Sequence, residues 1–161
     1  MIAYNVYNIV NMSEIIRIPH ITNYTQRVED DVLILSPLIH YITLEELNEV
    51  NLKYSKVLIC IIKKKDTIIS EKKRYFSILK DLWSCMPVQK ILQTTTFNMK
   101  LTNENGTDGY NWCSDLHLSI QGKPADYTLK EILNMINVNK FSIEISIKLQ
   151  TNQIIKFSAK E

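Results

Sequence analysis

Residues 90–121, KILQTTTFNMKLTNENGTDGYNWCSDLHLSIQ, carry the clearest period-two pattern in the chain. From Ile91 onward, Phe97, Met99 and Leu101 are apolar, while Thr94, Thr96, Asn98 and Lys100 between them are polar. That alternation belongs to a strand with one face buried. The second half repeats it: Leu116, Leu118 and Ile120 are expected to face a core, with Asp115, His117, Ser119 and Gln121 facing away. Between the halves, Asn103-Glu104-Asn105-Gly106-Thr107-Asp108-Gly109 supplies residue types that tolerate positive φ and bond their own backbone. The stretch reads as a β-hairpin with a long loop.

On its C-terminal side, Thr128-Leu129-Lys130-Glu131 has the form of a capping box, predicting a helix over about 128–137 that buries Leu129, Ile132, Leu133 and Ile136. Phe141, Ile143, Ile145, Ile147 and Leu149 then alternate with Ser142, Glu144, Ser146, Lys148 and Gln150, and the strand from Ile154 to Ala159 turns back. A second hairpin is therefore expected over about 141–159. On the N-terminal side, Tyr75, Phe76, Leu79, Leu82, Trp83 and Met86 recur at spacings of three and four. They predict the longest helix, over about 70–86, stopped by Pro87, with the aromatic stripe as core packing.

Further back, Val57-Leu58-Ile59-Cys60-Ile61-Ile62 is apolar on both faces, the pattern of a central strand covered on each side. Thr43-Leu44-Glu45-Glu46 is another capping box, opening a short helix over about 44–52. Val32 to Leu35 reads as a strand, His20 to Asp31 as a polar loop, and residues 2–10 and Glu14 to Ile18 as weaker strands. Thr43 to Lys63 and Thr128 to Lys148 echo one another as cap, helix, turn and Ile-rich strand, which either a duplication or shared helix-start chemistry explains. The expected fold is one α+β domain over residues 1–161: a mainly antiparallel sheet with two hairpins, covered by one longer helix and two short ones. Its polar face is expected to run unbroken from Thr94–Lys100 through Asp115–Gln121 to Ser142–Lys148.

Composition bounds the function. The 19 basic and 17 acidic residues leave a formal net charge of +2, too little to draw the chain to nucleic acid or anionic lipid by its global field. Lys63–Lys65 and Lys72–Arg74 are local basic clusters, on which a third and less favoured reading, nucleic-acid binding, would rest. Cys60, Cys85 and Cys113 are odd in number and far apart, which fits a reducing, cytoplasmic setting better than a disulfide framework or a thiolate zinc site. The N-terminus lacks the pattern of a signal peptide, and no window approaches the roughly 20 apolar residues of a spanning helix. Heavy use of Ile, Asn and Lys reads as the product of an AT-rich genome, a class that includes large DNA viruses.

The three glycines form neither a phosphate-binding loop nor a dinucleotide fingerprint, and His20, His40 and His117 have no metal-ligand spacing. No cofactor or metal is implied. The leading expectation is a non-enzymatic interaction or structural protein acting through protein contacts. Tyr110 and Trp112, beside the glycine loop, and Asp115 and His117 are its candidate contact residues. The alternative is a metal-dependent nuclease or hydrolase using Asp115, His117 and Lys123 on the polar face of a strand over 113–123. A homodimer is expected, formed by strand addition at Ile154 to Ala159 or through an apolar sheet face.

Overall fold

A computed structural model describes residues 5–8, 24–37 and 39–160. The class is α+β, with four helices and antiparallel or mixed sheets among the described residues. The strand expected over 14–18 lies outside the described residues. Near the N-terminus, β1 (Asn5–Asn8), β2 (Tyr24–Glu29) and β3 (Val32–Pro37) form a sheet of their own in the order β1-β3-β2. Residues 24–29, expected as loop, are thus a strand. Asp30 and Asp31 at φ 48° and 62° supply the two positive dihedrals of a tight two-residue hairpin turn, which strand patterning alone does not reveal.

The principal sheet has five strands: β4 (Ile39–Tyr41), β5 (Lys56–Lys64), β6 (Thr67–Ser70), β10 (Ser142–Lys148) and β11 (Ile154–Ala159), in the order β4-β11-β10-β5-β6. The hairpin expected over 141–159 is β10 and β11, paired from Ile143↔Ala159 to Lys148↔Ile154. Its inner face buries Ile143, Ile145, Ile147 and Ile155 together with Val57, Cys60 and Ile62 of β5. Helix residues Ile78, Leu79, Leu82, Trp83, Leu129, Ile132 and Met135 complete this core. β11 is not a bare edge: β4 pairs with it in parallel from Ile154↔Ile39 to Lys156↔Tyr41. Over Ile154–Lys156 that edge is therefore already occupied by β4.

Thr43 caps α1 (Leu44–Glu49) as expected, accepting from Glu46 N–H at 3.2 Å and donating to Glu46 Oε1 at 3.3 Å. Desolvation pushes the Glu46 carboxyl up, but bonds from the Thr43 backbone, the His40 ring and the Thr43 hydroxyl act together against it and hold it below the usual carboxylate range. The other helices depart from expectation. Residues 67–70 are strand β6, so the helix predicted from Ser70 begins only at α2 (Tyr75–Trp83), and Ser70 Oγ donates to Asp81 at 2.7 Å instead of capping. α2 still buries Ile78, Leu79, Leu82 and Trp83. Trp83 packs edge-on to Phe76 and Phe97 with its ring N–H unpaired.

Pro87 ends no helix; it precedes the first residue of α3 (Val88–Thr94), where its fixed φ and missing N–H cost nothing. The longest helix is α4 (Ala125–Asn139), beginning after Pro124. Thr128 is therefore not a cap. It lies buried one turn in, its hydroxyl donating to Pro124 O at 3.0 Å. Glu131 is also fully buried, accepting from Thr95 Oγ1 at 2.7 Å, Thr96 N at 3.1 Å and Thr96 Oγ1 at 2.5 Å. It ties the end of α3 to α4. The echo between the two helix-strand units is thus one of order, not of cap chemistry.

Candidate functional site

The stretch 90–121 is built differently from the expected hairpin. Its start, Lys90 to Thr94, is the end of α3, and only Met99–Lys100 forms strand β7. β8 (Tyr110–Cys113) and β9 (Leu118–Gln121) are the true hairpin, and β7 adds to the far side of β9 with Met99↔Ile120. These three strands form a sheet separate from the five-stranded one, so the unbroken polar face does not exist. Leu116, Leu118 and Ile120 are buried as expected, but so is Ser119. Its hydroxyl donates to Thr102 O at 2.7 Å and accepts from Glu104 N at 2.8 Å, stitching the glycine loop onto β9. Gly106 and Gly109, at φ 84° and 76°, let that loop close.

Asp115 and His117 stand in the turn before β9, not on a strand. His117 takes φ 54°, which takes it out of the alternation and sets its ring 6.3 Å from that of Trp112, edge to face. Asp115 is 76% exposed, with Oδ2 3.5 Å from Lys80 Nζ. Lys123 follows the opposite end of β9, a strand about 13 Å long, and its Nζ sits 5.2 Å from the Tyr127 ring centre. The three candidate catalytic residues therefore address three different partners and do not converge. Tyr110 is half-buried beneath Lys100 Nζ at 4.6 Å. Among the described residues, no cluster of His, Cys, Asp and Glu has the makings of a metal site. No described helix is long and apolar enough to cross a membrane.

The outer face of the five-stranded sheet gathers more. One row runs across four strands: Ile59↔Ser146, Ser146↔Lys156 and Lys156↔Tyr41. The next row is Ile61↔Glu144↔Ser158. Tyr41 is 76% and Ile59 50% exposed, and Ile68 of β6 adds a third exposed apolar side chain. A shallow depression of about 300 Å³ lies between Tyr41, Ile59, Glu144, Ser146, Lys156 and Ser158. Lys156 Nζ lies 5.8 Å from the Tyr41 ring centre, and Glu144 is exposed one diagonal step away.

The sequence concealed this face because β5 reads as apolar on both sides. A register shift places Ser146 against Ile59 and Ile147 against Val57, so Val57 and Cys60 both point inward and Ile59 outward. Burial pushes the Cys60 thiol up to about 12, leaving it a buried hydrophobe. Comparison with protein-family models, curated proteins and solved structures returned no match.

Proposed function

We propose that this protein is an interaction protein that pairs with a second copy of itself through the outer face of its five-stranded sheet. The observation that carries the reading is the self-complementary character of that face. Tyr41 and Ile59 present apolar area at the two ends of one row, and Glu144 lies diagonal to Lys156, opposite in charge. A two-fold axis parallel to the sheet, along the bisector of that diagonal, sets Glu144 of one copy over the partner's Lys156 and repeats the contact in reverse. This is what an isologous interface requires. Ser146, only 8% exposed, lies flat between them and leaves room for apposition. The unpaired Cys60, Cys85 and Cys113 support a reducing, cytoplasmic setting.

Charge exchange tests the reading. Sedimentation velocity is expected to give a dimer for the wild type and monomers for Glu144→Lys and for Lys156→Glu, each of which places like charges opposite one another. The double variant is expected to dimerise again, because the attraction is restored with its sign inverted. A wild type that stays monomeric at about 100 μM, a concentration that detects even weak pairing, contradicts the proposal. So do single variants that dimerise as the wild type does.

A further inference from the structure

A second surface, on the opposite side of the sheet, is built for a different partner. Between α1, α4 and the end of β11 lies a groove of about 580 Å³. Its apolar floor comes from Leu133 and Ile136 of α4, Phe141 just beyond it, Phe157 and Ala159 of β11, with Leu44 of α1 as a wall. Three cations line it, Lys130, Lys140 and Lys160, and among the described residues no carboxylate does. None of the three lysines makes an ion pair among the described residues. Of the two acids on α4, Glu131 is buried against Thr95 and Thr96, and Asp126, one turn before Lys130, lines with it a smaller adjoining pocket. Uncompensated positive charge around an apolar groove selects an anionic apolar occupant.

The placement of the lysines narrows that occupant. Lys130 lies in α4 and Lys140, ten positions on, caps its C-terminal end, about 15 Å away at the helical rise. Lys160 stands with Lys140 at the far end, since β11 pairs Ala159 with Ile143, two residues past Phe141. Positive charge thus marks both ends of an apolar stretch. An acid with a single head group matches only one of those ends. A peptide matches both when about four or five extended residues of apolar character separate its carboxylates. We infer that this groove docks an apolar peptide segment of a partner protein, flanked by acidic residues at each end.

The test uses the full chain and three probes. Fluorescence anisotropy of a labelled peptide, Glu-Glu-Leu-Phe-Ile-Leu-Glu-Glu with blocked ends, is expected to show saturable binding. The same peptide with lysines in place of its glutamates is expected to bind at least about tenfold more weakly. Lys130→Glu combined with Lys160→Glu, both on the surface, should reverse that preference while thermal unfolding stays as in the wild type. Leu133→Asp, which charges the floor, should weaken both peptides. Three results overturn the inference: no saturation by about 1 mM, equal binding of the two peptides, or displacement of the acidic peptide by an equal concentration of dodecanoate. The last would assign the groove to a single-headed amphiphile. Because the outer-face variants Glu144→Lys and Lys156→Glu lie on the other side of the sheet, they should leave peptide binding unchanged, so this surface and the dimer face fail or succeed separately.

Discussion

Glu131 shows how much one buried polar side chain organises. Its carboxyl takes donors from Thr95, Thr96 and, at 3.4 Å, Asn134, so that the irregular segment after α3 is fixed to α4. Glu131→Ala leaves those donors without an acceptor and should cost about 1–3 kcal/mol in urea unfolding. Glu131→Gln retains one acceptor oxygen and should cost less. If alanine is tolerated as well as glutamine, the carboxyl is not what holds these segments together. Cysteine chemistry gives a second check. Burial and the neighbouring Asp81 raise the Cys85 thiol, with Lys64 opposing, yet Cys85 is exposed, whereas Cys60 and Cys113 are buried. In the folded protein a thiol reagent should therefore modify Cys85 alone, and all three only on unfolding. Because the Cys60 thiol is raised from 9.0 to about 12 on folding, its contribution to stability is complete below pH 9.0 and is lost as pH climbs toward 12. Denaturant midpoints should fall over that range, and a Cys60→Ala variant should fall less steeply.

Among the elements, those set by local chemistry were legible and those set by pairing were not. The Thr43 box caps α1 because a hydroxyl and a carboxylate three residues apart satisfy each other's neighbours, and Thr43→Ala should cost about 1 kcal/mol. The same signature at Thr128 fails, because Pro124 starts the helix a turn earlier and both Thr128 and Glu131 then face inward. Thr128→Ala should therefore lose a buried bond to Pro124 O but not a cap, with the start of α4 unchanged in amide exchange. The alternating Ile residues of β10 and β11 declared a hairpin because one face is continuously buried. Residues 88–94 fit a strand or a helix equally well over so short a window, and the proline before them decided for the helix. β6 was hidden since Thr67–Ser70 is four residues long and only its pairing with β5 gives it strand form. The outer-face site was illegible for a related reason: which of Leu58, Ile59 and Cys60 points outward depends on a register shift against β10. The placing of the candidate trio was not legible either: His117 lies in the left-handed region, and Asp115 and Lys123 flank opposite ends of β9.

For the molecule as a whole, one sheet separates two surfaces of different character. Its inner side carries helices, the core and the lysine-lined groove; its outer side carries no helix among the described residues, and presents apolar side chains around a pair of opposite charges. The central claim is that a second copy covers the outer side. Tyr41 and Tyr54 are 76% and 70% exposed in the single chain, but only Tyr41 lies in the row with Ile59, Ser146 and Lys156. Hydroxyl-radical footprinting read by mass spectrometry, at concentrations from well below to well above the dimerisation midpoint, compares the two within one sample. Modification of Tyr41 and Ile59 should fall several-fold as the solution mass rises to twice 18.8 kDa, while Tyr54 stays constant. Tyr41 modified at an unchanging rate, whether in a chain that remains monomeric or in a dimer joined elsewhere, would contradict the account.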